Sequence, residues 1–429
     1  MSFSRREFLT SAVLSSAALS LEAQGIPETA TPMQDHAGHA HPKPERPKVA
    51  RVPAVLSRIT GTAGLDAAYS CLKAGRDTLQ AALQITQAQE DYQDDATAGL
   101  GGLPNASGEV QLDACCFHGP TRRTAAVGAV QGIKNASLLA HTLMERTAYP
   151  MLVGEDAQRF ALTRSFVQQE LLTRRTRAVW ELWKQLQFVL RPLGAGIYDP
   201  AWPEPDRETH FLPASQDELN LLVRKFEPLA VKAGIGPQWT WRAVYDALFP
   251  AANPLYVSTV NEKQEISCAA TTSGLPWRMP GATSDIANPG TGCYLDPEVG
   301  SAGASGNAAA NIKIGGARLI VENMRQGMTP EEAGMDALRK LVQWYRNDIA
   351  ALRFVEVLYY VQRKDGAYSC VSLWHGDRTG HAQQFAIHDG VRRTEECLFL
   401  LEGNPPNGLS TSLHTSIRFA RAAFESGAA

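Results

Sequence analysis

Residues 255–273 read LYVSTVNEKQEISCAATTS, and this stretch decides the fold. Two runs rich in β-branched, aromatic and small residues flank the polar turn Glu262-Lys263-Gln264. That arrangement is typical of a β-hairpin. Asn253 and Pro254 stand immediately before the first strand.

Strands and helices alternate on both sides of this hairpin. We predict strands over 52–56, 110–117, 124–130, 150–154, 354–362 and 367–374, and helices over 63–89, 133–146 and from Thr329 past 343. Thr329 is a helix cap followed by Pro330 at the first helical position. Such alternation indicates a layered α/β domain.

A long helical section is predicted between 161 and 250. Trp180 and Trp183 lie on one face of it and are expected to pack in a core. A second helix opens at Ser215, where Glu218 completes a capping box.

The composition is that of an ordinary globular protein. The 429 residues are 44% hydrophobic and 20% charged, with a net charge of -3. Because there is no basic excess, we expect no nucleic-acid partner. The seven cysteines form no CxxC pair and are odd in number, so we predict buried thiols without an obligatory disulfide.

The N-terminus resembles a twin-arginine export signal. Arg5 and Arg6 precede Phe8-Leu9 and a weakly apolar stretch that ends at Leu21. We predict a signal peptide over residues 1–23 and a periplasmic or secreted mature protein. The apolar stretch is too short and too rich in Ser and Ala to span a membrane, so no stable membrane insertion is expected.

Residues 24–52 are predicted to form a solvated tether rich in His and Pro. His36, His39 and His41 are spaced closely enough to bind copper or zinc. Pro42 and Pro44 supply no rigid framework for such ligands, so we predict no metal and no cofactor. Residues 53–429 are predicted to be a single domain with three parts, 53–165, 166–250 and 251–429.

Short blocks of sequence occur in an order and at a spacing that chance does not explain. In the first half they are GLGGLPN at 99–105, LDA at 112–114, VGAV at 127–130, IKNA at 133–136 and LVGE at 152–155. In the second half they are ATTSG at 270–274, PGTG at 289–292 and SGN at 305–307. Over most of 53–165 and 252–375 the chain resembles the glycosylasparaginase family of N-terminal-nucleophile hydrolases.

The resemblance implies a four-layer αββα sandwich, with two stacked sheets flanked by helices. Active members of the family cut their own precursor before a threonine. The new terminal amine then serves as base for that threonine's hydroxyl, which attacks the side-chain amide of a glycosylated asparagine. The resemblance also implies a homodimer.

In this chain Pro254 occupies the nucleophile position and Asn253 replaces the acidic residue before it. The chemistry needs a hydroxyl for the initial N-to-O acyl shift and a primary amine afterwards, and proline has neither. Ser258 lies on the same face of the strand, but four residues at about 3.3 Å each place it roughly 13 Å away. Thr259 points to the opposite face.

The rest of the resemblance is mixed. It implies that Thr272 supports the nucleophile, that Asp285 binds the substrate's α-amine, and that Ser305 and Gly306 line the oxyanion site. The arginine that binds the α-carboxylate is replaced by Ala282, and a substrate-loop glycine by Ala308. A substrate-contacting tryptophan is absent near Ile59. Two arginines are candidates to restore the lost positive charge, Arg278 and Arg58.

Two functions remain open. The first is an amidohydrolase by descent that acts on asparagine-linked N-acetylglucosamine or related β-aspartyl amides through a different arrangement. The second, which we favour, is an uncleaved pseudoenzyme that binds a small ligand such as an amino acid or glycosyl-asparagine, or that has a structural role in the periplasm. The remaining histidines are scattered without metal-binding spacing.

Overall fold

A computed structural model describes residues 48–190, 216–248, 252–352, 355–377 and 381–404. The predicted export signal, nearly all of the tether with its three histidines, and the predicted cap at Ser215 lie outside these residues. Within the described part the strands form two sheets.

The first sheet has eight strands in the order β12-β11-β1-β5-β6-β2-β3-β4. They are β1 (Ala54–Arg58), β2 (Gln111–His118), β3 (Arg123–Gln131), β4 (Met151–Val153), β5 (Leu255–Val260), β6 (Ile266–Thr272), β11 (Gln384–His388) and β12 (Arg392–Glu396). The predicted hairpin is present as β5 and β6, with Leu255 opposite Thr271.

The second sheet has five strands in the order β13-β10-β9-β8-β7. They are β7 (Cys293–Asp296), β8 (Gly300–Gly306), β9 (Val357–Arg363), β10 (Tyr368–Trp374) and β13 (Leu398–Leu401). Tyr256 of the first sheet packs against β8, where a Cβ atom at Gly303 would lie 1.9 Å from the tyrosine ring. Glycine is therefore required for this close approach of the two sheets.

The described helices include those that cover the outer faces of the two sheets and three, α5–α7, that form a separate segment. They are α1 (Leu65–Lys73), α2 (Thr78–Asp91), α3 (Ala136–Arg146), α4 (Gly154–Leu162), α5 (Arg174–Leu190), α6 (Gln216–Lys232), α7 (Thr240–Leu248), α8 (Ala308–Ile314), α9 (Gly316–Arg325), α10 (Pro330–Trp344) and α11 (Ile349–Leu352). One core joins the first sheet to α1–α4, a second fills the space between the sheets, and a third joins the second sheet to α8–α10. Three stacked cores separate four layers, so the predicted αββα sandwich is confirmed.

Helices α5–α7 form a separate small core. Trp183 stacks on Trp277 with ring centroids 5.0 Å apart, and Trp180 Nε1 donates to the Ala106 carbonyl at 3.2 Å. The tryptophan pair therefore packs inside the protein, as predicted, and anchors this helical segment to the loop that follows β6.

One helix prediction needed correction. The helix predicted over 63–89 is two helices, because Gly75 has φ of +70° and Asp77 caps a new helix by accepting from Gln80 N. The helix capped by Thr329 is confirmed and ends at Trp344, just beyond Gln343, and Glu332 completes a capping box with Thr329. All seven cysteines are buried, as predicted. None of the helices in the described residues is long and apolar enough to cross a membrane.

Glu90 is a buried carboxyl that ties α2 to α3 and β6. Thr271 Oγ1 donates to its Oε1 at 2.6 Å, Ser137 N donates to the same oxygen at 2.9 Å, and Ser137 Oγ donates to Oε2 at 2.8 Å. Burial raises the pKa of Glu90 to about 7 despite these hydrogen bonds. The folded protein therefore holds this proton at pH values where the unfolded chain releases it.

We expect Glu90 to make the protein less stable as the pH rises from about 4.5 to about 7. Its contribution is full below the unfolded pKa and is lost through the folded pKa, a change on the order of 3 kcal/mol. Glu90→Gln, which keeps the shape and the acceptor oxygen, should flatten this dependence in urea unfolding measured across the range. Exposed Glu396→Gln is the control and should keep the wild-type profile; an unchanged slope in Glu90→Gln would contradict the assignment.

Candidate functional site

The predicted site begins where β5 and β6 end. Leu255 pairs with Thr271, and extending this register by one residue puts Pro254 opposite Thr272. Pro254 is buried. The fold thus brings together the two residues that the resemblance assigns to catalysis, with a ring nitrogen and no hydroxyl on the Pro254 side.

The Thr272 hydroxyl stabilises the turn that leaves β6. It accepts from Gly274 N at 2.9 Å and lies 3.4 Å from the Thr97 carbonyl. Gly274 has φ of +73°, and a Cβ there would lie 2.0 Å from the Arg278 guanidinium. Thr272 therefore holds a tight turn that only glycine can make.

Neither Ser258 nor Thr259 of β5 is placed to replace the nucleophile. Ser258 Oγ donates to Gln362 Oε1 of the second sheet at 2.6 Å. Thr259 Oγ1 donates to the Thr78 carbonyl of α2 at 2.8 Å, on the opposite face. Both are fully buried and hydrogen-bonded, and the predicted opposite orientation is confirmed.

Arg278 forms a buried ion pair with Asp113. Arg278 Nη1 lies 2.7 Å from Asp113 Oδ2, and Nη2 donates to the Gln111 carbonyl at 2.8 Å. The two side chains are 5% and 0% exposed. Arg278 is therefore held inside the protein and does not line the cleft, which removes it as a candidate replacement for the substrate-binding arginine.

Asp113 also positions the loop that carries Asp285. Its Oδ1 accepts from Ala129 N at 2.8 Å, and its Oδ2 accepts from Ser284 N at 2.8 Å. Asp285 follows at the start of a 3₁₀ turn, Asp285–Ala287.

The carboxyl of Asp285 is bound by the protein itself. Asn311 Nδ2 donates to Asp285 Oδ2 at 2.6 Å, and Tyr359 Oη donates to Asn311 Oδ1 at 2.8 Å. Burial raises the pKa of Asp285 to about 6, and the Asn311 hydrogen bond opposes that rise. Ala282, in the position of the missing arginine, is exposed.

A cavity of about 520 Å³ adjoins the end of the hairpin. The ends of the sheets, the loop 94–97, the segment 381–384 and the helical segment all contribute to its wall. Ser305 and the candidate Arg58 line it, and so does Asn253, whereas Pro254, Thr272, Asp285 and Gly306 are not among its lining residues. Gly306 follows Ser305 at the end of β8 with φ of +107°, where a Cβ would lie 2.0 Å from the Glu356 carbonyl.

Arg58, the other candidate arginine, lines this cavity. Its Nη1 donates to Thr60 Oγ1 at 3.1 Å and to the Asn253 carbonyl at 3.3 Å. A positive charge therefore lies beside the Asn253–Pro254 peptide. Ile59, where the family's tryptophan is missing, also lines the cavity.

The helical segment supplies cavity residues that the sequence reasoning missed. Arg242 Nε lies 2.9 Å from an Asp246 carboxyl oxygen, and burial raises the pKa of Asp246 although Arg242 opposes it. The Arg175 guanidinium lies 5.0 Å from the Trp239 ring centroid. The four-residue spacing of Arg242 and Asp246 on a helix was a signal for the ion pair, but nothing in the sequence placed it beside the hairpin.

No metal centre is evident in the part of the chain that the structure describes. There, no group of three or more His, Cys, Asp or Glu side chains is arranged to hold an ion. His381 N donates to Asp377 Oδ1 at 3.0 Å, and the His375 ring packs at 4.6 Å from that of Phe399.

Comparisons with known proteins agree with this architecture. The family model described as asparaginase matches residues 47–191 and 257–352, together more than half of the chain. An N(4)-(beta-N-acetylglucosaminyl)-L-asparaginase of Elizabethkingia miricola is 27% identical over 91% of this chain and 93% of its own length. A probable isoaspartyl peptidase/L-asparaginase of Arabidopsis thaliana is 26% identical over 71% of this chain and 82% of its own length.

A putative N(4)-(beta-N-acetylglucosaminyl)-L-asparaginase of Drosophila melanogaster is 27% identical over 72% of this chain and 74% of its own length. The matched residues include β2, β3, β6 and the turn that carries Asp285, while Pro254 falls in the gap between the two matched segments. The chain belongs to the asparaginase family of N-terminal-nucleophile hydrolases, which includes the glycosylasparaginases.

Proposed function

We propose that this protein is an uncleaved member of the family that has lost the N-terminal-nucleophile reaction and binds a small ligand in its cleft. The ligand class is an amino acid or a glycosyl-asparagine, the compounds that the relatives' names indicate. The protein is then an amidohydrolase by descent rather than by present activity.

The observation that carries the proposal is the position of Pro254. It lies at the start of β5, one residue before the Leu255–Thr271 pair, where a hydrolase of this class needs a threonine, serine or cysteine. Its nitrogen is part of a tertiary amide, and its side chain has no group that accepts an acyl transfer. Even a cut before Pro254 would release a secondary amine with no hydroxyl for it to activate.

The surroundings of the cleft support the same conclusion. Asp285 is bound to Asn311, and Arg278 is bound to Asp113, so neither is free to hold the α-amino and α-carboxyl groups of a substrate. The exposed Ala282 offers no charge. A loss at the nucleophile alone would leave these binding groups in place.

The proposal extends to the location of the protein. The twin-arginine pattern of residues 1–23 supports export of the folded chain to the periplasm, where the cleft would meet its ligand. The homodimer remains a prediction from the resemblance.

We expect the mature protein to remain a single polypeptide. Purified protein that has been denatured at once and separated by gel electrophoresis and mass spectrometry should show one chain. Pro254→Ala, which also lacks a hydroxyl, is the matched control and should give the same pattern. Two fragments in the wild-type protein, with the second beginning at Pro254 or a neighbouring residue, would contradict the proposal.

We also expect no hydrolysis of asparaginyl-N-acetylglucosamine. With neither hydroxyl nor primary amine at the start of β5, release of N-acetylglucosamine should not exceed that of a heat-denatured sample, and Thr272→Val should behave like the wild type. Turnover that resists Thr272→Val and depends on another side chain would reveal a different nucleophile and would overturn the assignment.

A further inference from the structure

We propose that the cleft binds a carboxylate of its ligand against Arg58, Tyr360 and Ser305. This inference rests on the proposed ligand-binding function and adds to it the position of the anionic group. The family resemblance implies that the ligand's carboxylate binds beside the position of Ala282, on the loop before Asp285. The geometry puts it instead at the other wall, beside the Asn253–Pro254 peptide.

Tyr360 is the first observation. Its side chain is 0% exposed, it stacks on Tyr256 with ring centroids 5.9 Å apart, and it lines the floor of the cavity. No group in the described residues meets full hydrogen-bond geometry with its hydroxyl. The Ser305 hydroxyl is near enough to oppose the rise that burial causes in the Tyr360 pKa. A buried hydroxyl without an acceptor costs about 1–3 kcal/mol, so an acceptor from a ligand would stabilise it.

Ser305 lies beside that hydroxyl. Tyr360 pairs with Gly303 and Leu358 pairs with Ser305, so the serine is two residues along β8 on the same face of the strand. Ser305 is 4% exposed and lines the cavity. Two hydroxyl groups thus converge on one end of the cleft, and both can donate to an oxyanion.

Arg58 supplies the charge. Only its Nη1 is hydrogen-bonded, to Thr60 and Asn253, and among the described residues Nε and Nη2 have no protein acceptor. A guanidinium presents its donors in a planar fork that matches the two oxygens of a carboxylate. Arg58 and Tyr360 line the same cavity. Burial raises the pKa of the Tyr360 hydroxyl, and the positive charge of Arg58 opposes that rise.

In the described residues, none of the acidic residues around the cavity forms an ion pair with Arg58. Each is bound to a protein donor or open to solvent: Asp246 to Arg242, Asp95 to Thr97 N, Glu356 to Gln383, Asp377 to His381 N, and Asp94 exposed.

The other two cavity arginines also have partners. Arg242 binds Asp246, and Arg175 lies over Trp239 and donates to the Asp94 carbonyl at 2.9 Å. Arg175 Nε is also buried without a partner in the described residues, so open donors alone do not distinguish the three arginines. Arg58 differs because, among the described contacts, it is the arginine that donates to the Asn253–Pro254 peptide.

The test uses succinate as the carboxylate probe and succinamide as its neutral counterpart of the same shape. Isothermal titration of the full-length protein should show succinate binding about tenfold or more tightly than succinamide. Arg58→Gln should remove that preference, and Tyr360→Phe should weaken succinate binding about threefold to tenfold. Arg339→Gln, on the exposed face of α10, changes the net charge equally and should leave binding unchanged.

Arg58→Lys separates a binding role from a structural one. It keeps the charge without the fork, so succinate binding should fall between those of the wild type and Arg58→Gln, with the same thermal unfolding temperature as the wild type. Equal binding of succinate and succinamide, no succinate binding at millimolar concentrations, or a preference that survives in Arg58→Gln would overturn the inference. Because the gel and hydrolysis assays do not involve Arg58, failure here is distinguishable from failure of the proposed function.

Discussion

The buried ion pair between Asp113 and Arg278 holds together the segments that build the cleft. Asp113 reaches Arg278 after β6, Ser284 before the Asp285 turn, and Ala129 on β3, where φ is +50°. Two charges in a nearly water-free interior are tolerated only when their hydrogen bonds are complete, and here the carboxylate accepts three. Removal of one partner would leave an uncompensated buried charge, so the turn after β6 and the segment before Asp285 depend on both.

That framework is independent of the reaction that the family performs on it. The ion pair, the register of β5 against β6 and the cores between the layers all form although residue 254 has no hydroxyl. A catalytic residue at the end of a strand makes few of the contacts that stabilise a domain, whereas the buried apolar layers supply most of the free energy. The chemistry can therefore be lost while the fold is retained, and the charged groups of the cleft are then free to change.

The sequence predicted the hairpin and a layered α/β domain because period-two alternation and turn residues are local signals, whereas the four-layer arrangement was implied by the family resemblance. The resemblance and the spacing of one short hairpin together placed Pro254 at the nucleophile position. The sequence analysis missed β11, β12 and β13 because these strands are short. The pairing of β11 with β1 also joins residues more than three hundred positions apart, whereas β13 pairs with the nearer β10. It also missed the cavity wall, since the positions of Arg175, Trp239 and Arg242 depend on how α5–α7 pack rather than on any motif. For the same reason the sequence left Arg278 and Arg58 as equal candidates, and only their burial and partners distinguish them.

The proline itself suits the position that it occupies. Proline lacks an N–H and is accommodated at the first residue of a strand, and it restricts the preceding residue to extended conformations. Asn253 is thereby directed into β5, and its carbonyl accepts from Arg58. In a self-cleaving relative the peptide at this point must be reactive, with a hydroxyl beside the carbonyl that it attacks. Here the same carbonyl accepts from Arg58, so the residue that stops cleavage also helps to fix the group that we assign to ligand binding.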